Sequence, residues 1–410
     1  MKKISYLLFA VLSSTVLFMN CGEDRTHEFV EKTEENQWIY STMKEYYLWG
    51  DSIKSPAYSS FFSSTSKFFE SLLDKKDKVS CFTDSVRMCS YGFSFAFMRD
   101  PLGIKPGRYY ALVLYVEPGS PASAAGIERG TWISEIDGKA MSSTGNKLLL
   151  SGDAIDVTTC SIGYEGESLC WNAGDTLSMH AANVIESKAV YIDTTYDVGA
   201  SRVGYVVCMN LNGNNFAADI QNVMLDFAAA DVTDIIIDLR YCSEGTIDNA
   251  NAMASALVPV SLAGTPFAVL KGRDGTDNTI CNYVEQTVNL SDKRVFFITG
   301  NSTRGIAELL VASVKESRGV GGVYVAGART AGTNMFTRCF DSPYGFSISP
   351  VVAFISSSGG GLLPQSGIVP DCPIDELAEI ELIYKLGDEQ EYILYNILYL
   401  IANELLPTNM

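Results

Sequence analysis

The stretch Val295-Phe296-Phe297-Ile298-Thr299, then Asn301-Ser302-Thr303-Arg304-Gly305, then Ile306-Ala307-Glu308-Leu309-Leu310 restricts the fold more than any other part of the chain. Its first part is a short apolar run with a β-branched end, the pattern of a strand buried on both faces. Its last part opens an apolar helix, and the hydroxyls of Ser302 and Thr303 stand where helix caps usually stand. A buried strand feeding a helix through a tight turn belongs to a parallel sheet with helices on its faces. Such a turn is also a chemical address. Unpaired backbone N–H groups and the positive end of the helix dipole converge there, so a carboxylate or an oxyanion is stabilised without any special side chain. Yet the residue at the apex is Gly305, which offers no nucleophile.

Composition narrows the partners. The net charge of -18, from 48 acidic and 30 basic residues, repels a phosphate backbone, and no basic patch offsets it, so a nucleic-acid partner is excluded. The only histidines are His27 and His180, and no CxxC pair occurs, so neither a metal site nor a cofactor is expected. At the N-terminus, Lys2-Lys3 precedes a mostly apolar run from Tyr6 to Met19, which reads as a signal peptide over residues 1–20. The Leu17-Phe18-Met19-Asn20-Cys21 ending resembles a lipoprotein cleavage box. That resemblance implies lipidation of Cys21 and anchorage in the outer membrane, facing the periplasm or the surface. Nine cysteines remain, an odd number. Cys81 with Cys89 and Cys160 with Cys170 are close enough in sequence to staple hairpins, whereas Cys208 and Cys242 read as buried packing residues.

With 410 residues the chain suggests two or three domains. Residues 23–32 are polar and read as a tether. From Asn36, the residues Trp38, Ile39, Met43, Tyr46, Tyr47, Leu48 and Trp49 recur at helical spacing, and a second helix is expected over Ser66 to Leu73. Cys89 to Val190 is strand-rich, with Tyr109–Val116 as its clearest strand. Pro118 to Ile127 reads as a turn and one short helix, and Thr131–Ile136 runs into an Asp137-Gly138 hairpin turn. From Val203 onward strand and helix alternate. Strands are expected at Val203–Val207, Asp234–Asp238, Val295–Thr299 and Val323–Ala326. Helices are expected from Asn215 to Phe227, Ser243 to Leu257, after Gly305, and from Glu391 to Leu405, with a hairpin over Pro266 to Val288.

The residues SPASAAGI followed by GTWISEIDGK resemble a PDZ domain, in the circular arrangement common in bacterial proteases. The resemblance implies that Tyr91-Gly92-Phe93-Ser94-Phe95 is a carboxylate-binding loop, in which successive N–H groups nest a peptide's terminal carboxylate. The strand after it would pair with the peptide, making peptide or protein C-termini the expected partners.

Taken in order, GYVV, the IIIDLR strand end, a glycine loop, NSTRGIAELL, GARTAGT and SGIVPDCPI resemble the tail-specific, or C-terminal processing, serine peptidases of family S41. The fold this implies is α+β multidomain. A small N-terminal helical domain (21–85 with the tether) precedes a β-rich PDZ-like domain (86–190) and an α/β, ClpP/crotonase-like peptidase-type domain (191–410). The family uses a serine nucleophile and a lysine base. Glu308, three residues after the nucleophile position, places that position at Gly305, and Thr330-Ala331-Gly332 places the base position at Thr333. The oxyanion loop, with Glu244 and Gly245, carries a glutamate where the family usually has a glycine. Neither dyad position holds a reactive group, so the resemblance implies a pseudopeptidase. The alternative is an active peptidase with displaced groups, for which Ser302, Thr303 and Cys242 are the candidate nucleophiles.

Overall fold

The structure is a computed structural model that describes residues 26–84, 89–185, 188–273, 278–319 and 321–406; the expected signal peptide and Cys21 lie outside them. The chain divides into two compact units, one reaching Phe82 and including Arg338–Val351, the other formed by Thr83–Thr337 and Val352–Met410.

In the first unit, α1 (Thr26–Tyr46) and α2 (Thr65–Leu72) are joined by a three-stranded sheet in the order Cys81–Asp84, Phe346–Ser349, Phe340–Asp341. Its core is aromatic: Tyr47, Phe68 and Phe69 are buried, and Phe82 stacks on Phe346 at 5.0 Å. Two expectations are corrected here. The helix starts at Thr26, so residues 26–32 are not a tether; Glu and Lys are strong helix formers, and a polar helical turn reads like a linker. The unit is also not purely helical, because a hairpin from far along the chain supplies two of its strands.

The second unit contains two sheets that matter for the site. One runs β1 (Phe93–Arg99), β2 (Tyr109–Val116), β3 (Trp132–Ile136), β4 (Ile155–Glu165), β5 (Ser168–Met179). The Asp137-Gly138 turn has positive φ at both residues (50 and 69), as a two-residue hairpin requires, and returns the chain to pair Lys139–Ala140 with β3. Alternation buries Ala111, Val113 and Ile133 on one face with Tyr91 and Ile155, and Tyr110, Leu112 and Trp132 on the other.

The other sheet runs in chain order: β6 (Val190–Val198), β7 (Ser201–Cys208), β8 (Asp234–Asp238), β9 (Arg294–Thr299), β10 (Val323–Gly327), β11 (Cys372–Pro373). β6 is antiparallel to β7, and the remaining pairs are parallel. On one face Ile235, Ile237, Val295 and Phe297 pack with α3 (Phe216–Ala229), α4 (Ile247–Leu257) and α5 (Ile306–Arg318). On the other, Ile236, Phe296 and Ile298 pack with α6 (Tyr392–Ala402). Burying each such side chain contributes roughly 1.5–3 kcal/mol, so the doubly covered sheet is the rigid body on which the loops at its strand ends stand. Gly204 in β7 is fixed by close approach, since a Cβ there would lie 2.8 Å from the Phe227 ring.

The alternation of strand and helix follows the sequence reading, with three adjustments. α4 begins at Ile247 rather than Ser243, because Thr246 is its N-cap and accepts the Asn249 N–H at 3.2 Å, leaving Ser243–Gly245 as loop. α6 ends at Ala402. The strands Met335–Thr337, Phe340–Asp341, Phe346–Ser349 and Val351–Ser356 were not foreseen. Apart from Cys89, the described cysteines are free thiols. Cys160 and Cys170 cannot staple their hairpin, because Cys160 faces Ala173 and Cys170 faces Gly163. Cys208 and Cys242 are buried, as expected.

Candidate functional site

The turn after β9 is forced residue by residue. Gly300 follows Thr299 where a Cβ would lie 2.7 Å from the Arg240 carbonyl oxygen. The buried Thr303 hydroxyl accepts the Gly300 N–H at 2.9 Å and donates to the Leu239 carbonyl at 2.8 Å, and the Arg304 N–H donates to the Cys242 carbonyl at 3.3 Å. The turn is thereby fastened to the loop after β8 before the helix begins. Gly305 is the helix N-cap, at φ 57 and ψ -106, a region that residues with a Cβ enter only at a cost of about 1–3 kcal/mol. A Cβ added at Gly305 would meet nothing within 4 Å. The restriction at this position is therefore conformational, and space for a small side chain remains.

Glu308, one turn into α5, is buried and its carboxylate takes four donors. Oε2 accepts the Gly305 N–H and the Thr333 N–H, each at 2.8 Å. Oε1 accepts the Thr330 hydroxyl at 2.5 Å and the Gly332 N–H at 2.7 Å. Because one oxygen holds both, the backbone nitrogens of Gly305 and Thr333 lie no farther apart than two hydrogen bonds laid end to end. The Ala331 N–H donates to the Thr303 carbonyl at 3.0 Å and completes the join. The Thr330–Thr333 turn is backed by the Gln365–Ile368 turn, which approaches so closely that a Cβ on Gly332 would lie 2.2 Å from the Gln365 oxygen, and one on Gly367 2.1 Å from the Thr330 oxygen. Thus the two positions read from the sequence as nucleophile and base are brought side by side, occupied by a hydrogen atom and a threonine side chain.

The loop expected to serve an oxyanion, with Glu244 and Gly245, lies on the other flank. Gly245 bridges to Leu211, and a Cβ on it would sit 2.7 Å from the Leu211 side chain and 3.2 Å from that of Ile306. Ile306 is the first residue of α5, so its N–H has no partner within the helix. Glu244 is exposed, and its carboxylate accepts the Asn212 amide at 3.3 Å.

Of the alternative nucleophiles, Thr303 is committed to the two hydrogen bonds above. The Cys242 thiol donates to the Glu244 carbonyl at 3.7 Å, and burial pushes it up to about 12, so it stays protonated at neutral pH. Ser302 is half-buried beside the apex. Lys315 is spent on Asp371, with Nζ 2.6 and 2.7 Å from the two carboxylate oxygens. His180 is exposed at the end of β5. Among the described residues no cluster of three or more His, Cys, Asp or Glu is placed to hold a metal.

Beneath the oxyanion loop lies a buried charge cluster that the sequence reading missed. Arg240 contacts Asp238 at 2.8 Å, Glu391 at 2.7 Å and Glu376 at 3.2 Å. Burial pushes the Asp238 carboxyl up, only partly offset by Arg240. At Glu391 burial pushes upward too, but Arg240 and Arg129 outweigh it and hold the carboxyl below its usual range. The one signal in the sequence is Glu391 ahead of an apolar run, and it is indeed an N-cap, accepting the Leu394 N–H at 2.9 Å.

The expected peptide-binding residues gather at one edge of the five-stranded sheet. β1 pairs only with β2, so its other edge is open among the described residues. Gly92, at φ 76, leads into β1 where a Cβ would lie 2.2 Å from that of Ser120. Tyr91 is buried, with its hydroxyl on the Asp153 carbonyl. Phe93, Ser94 and Phe95 are half-buried, and the rings of Phe93 and Phe95 stand 5.5 Å apart.

A doubly covered, largely parallel sheet with a strand–turn–helix elbow beside the Gly245 loop defines an α/β body, and comparison with known proteins gives its family. Residues 34–95 match the Peptidase S41 N-terminal domain, and residues 202–374 match Peptidase family S41. The chain belongs to peptidase family S41. Its fold is similar to that of an S41-protease-type protein from Bacteroides fragilis NCTC 9343, with a TM-score of 0.75, 23% identity, and coverage of 90% of this chain and 97% of that one. It is also similar to the photosystem II D1 C-terminal processing protease, with a TM-score of 0.52, 17% identity, and coverage of 84% and 93%. No curated protein matches the chain at a significant level.

The buried state of Cys242 has a direct check. In the folded protein at neutral pH, iodoacetamide should label the exposed Cys81 and Cys339 and spare Cys242, as read by peptide mass spectrometry. Labelling of Cys242 at the rate of Cys339 would restore it as a nucleophile.

Proposed function

We propose that this protein is a non-catalytic S41 family member that binds peptide or protein C-termini at the cell envelope. One observation carries the reading: a single oxygen of Glu308 holds the backbone of Gly305 and Thr333 together, and that juxtaposition contains neither a nucleophile nor a base. A hydroxyl without a neighbouring base is a weak nucleophile, and in serine peptidases loss of either partner removes on the order of a million-fold in kcat. The protonated Cys242 and the committed Thr303 speak against displaced chemistry. Binding is supported by the open edge of β1, the Gly92 turn beside it, and the resemblance of this segment to PDZ domains. Lipidation at Cys21 would place the protein in the outer membrane. Among the described residues no helix is long and apolar enough to cross a membrane, so retention there would depend on the lipid.

Incubated with unfolded proteins ending in nonpolar residues, the chain lacking its first 21 residues should cut none of them. Cleavage that disappears in Ser302→Ala would sink the non-catalytic reading. The double variant Gly305→Ser with Thr333→Lys should gain proteolysis, at a stability cost of about 1–3 kcal/mol from the positive φ at residue 305.

Peptides with free and amidated C-termini separate carboxylate capture from plain groove binding. Titration calorimetry should show the free acid binding at least about tenfold more tightly, the worth of one charge-assisted hydrogen bond. Equal affinities would rule out the carboxylate loop at Tyr91–Phe95.

Membrane anchorage is read by fractionation. Full-length protein should sediment with outer membranes and Cys21→Ala should not; an unchanged distribution would remove the lipid anchor from the proposal.

A further inference from the structure

We propose that the segment from Asp375 to Glu391 is a strap that fixes the five-stranded sheet to the body built on β6–β11, with Arg129 as its pin, so that the open edge of β1 is presented in one orientation whether or not it is occupied.

Arg129 lies in the turn between the short helix and β3, within the part of the chain that forms the five-stranded sheet. Every nitrogen of its guanidinium is engaged. Nε donates to the Tyr384 carbonyl at 2.7 Å, and Nη1 to the Leu114 carbonyl at 2.5 Å and the Tyr241 hydroxyl at 2.7 Å. Nη2 contacts Glu376 at 2.8 Å and Glu391 at 3.2 Å. Leu114 belongs to β2, Tyr241 to the loop after β8, and Tyr384, Glu376 and Glu391 to the strap. One guanidinium therefore joins three parts of the unit, and its side chain is only 6% exposed.

The strap grips the sheet along its length as well. Leu377, Ile380 and Ile383 pack on the face carrying Tyr110, Trp132 and Trp171. Trp171 is itself fixed, stacked on Tyr110 at 4.1 Å and donating to Asp100 at 2.9 Å. The Ile383 carbonyl lies so near Gly130 that a Cβ there would be 2.9 Å away. The Tyr164 hydroxyl reaches Glu381 at 2.8 Å. At its far end the strap runs into Glu391, the N-cap of α6, which is packed on the central sheet.

The joint is not filled on every side. A cleft of about 410 Å³ opens beside it, bounded by Tyr115, Ile127, Tyr191 and Leu386, with Lys385 at its rim. The Lys385–Glu128 pair, 2.9 Å apart, has both side chains largely exposed and holds little. A hinge would close this cleft; what prevents it is the desolvated network on the strap side, where removing one partner strands a buried charge.

The test is a pair of spin labels on encoded non-cysteine residues replacing the exposed Glu167, beside the β4–β5 turn, and the exposed Asp226, on α3. In the free protein the distance distribution should be single and narrow. Two populations would overturn the proposal without bearing on peptide binding. Adding a peptide with a free nonpolar C-terminus should leave the distribution unchanged. This arm alone rests on the proposed binding function, and a shift on addition would also overturn the strap. Arg129→Met should broaden the distribution. Ile380→Ser, which loosens the strap without leaving a charge buried, should do the same in case Arg129→Met does not fold. A folded variant of either kind as narrow as wild type would remove the assigned role.

Discussion

A carboxylate withdrawn from water must be satisfied by donors, and Glu308 meets that demand with three backbone N–H groups and one hydroxyl. The rest of the site follows from where those donors come from. Two segments separated by β10 supply them, so satisfying one side chain sets the elbow after β9 against the turn after β10. Losing any single donor would expose part of the desolvation cost of a charge, about 1–3 kcal/mol, which makes the arrangement cooperative. Because backbone N–H groups of residues 305 and 333 do the work, the clamp's hydrogen bonds draw on no side chain at either position. Reactive groups can disappear from both positions while the positions themselves stay together.

A second desolvated network sits under the oxyanion loop and obeys the same logic at larger scale. Two guanidinium groups, Arg129 and Arg240, are shared among Asp238, Glu376 and Glu391. Acidic groups outnumber basic ones, so burial weighs unevenly on them. Asp238 is pushed up and receives the Tyr205 hydroxyl at 2.9 Å, while Glu391, in contact with both arginines, is held low. Breaking such a network by removing one partner costs about 3–5 kcal/mol, far more than any exposed pair on this protein contributes. The loop that carries Glu244 and Gly245 leaves β8 through Arg240 and is fixed at its base by this cluster.

The peptidase-type body was legible because its strands are buried on both faces. Ile235–Ile237 and Val295–Ile298 are uninterrupted apolar runs inside their strands, and a sheet covered on both faces accommodates them. The meeting of the Gly305 and Thr333 turns has its sequence signal in Glu308 and the Thr330-Ala331-Gly332 turn, spaced features that do not depend on the side chains at 305 and 333. Arg129 carries no such signal, since nothing in an arginine at a turn announces hydrogen bonds to partners more than 250 residues away. The hairpin of Arg338–Val351 was missed because its short strands alternate weakly and find their partners in the N-terminal unit. The polar start of α1 was misread because surface helix and linker share a composition, and only tertiary placement separates them.

Glycine at the elbow changes more than the chemistry. A serine at residue 305 would have to hold φ near 57 and ψ near -106 against its own preference, a strain the surrounding hydrogen bonds must overcome. With glycine that strain is absent, and the clamp at Glu308 is left with no opposing load. Threonine at 333 removes a second burden, the desolvation that a lysine in a closed site must bear before it can act as a base. Glu244 adds an exposed negative charge one residue before Gly245, where the resemblance expects a neutral residue beside an oxyanion. These three residues therefore act in one direction, relaxing a strained site and disfavouring its transition state. None of the three belongs to the open edge of β1 or to the segment Asp375–Glu391, so the binding we propose does not depend on them.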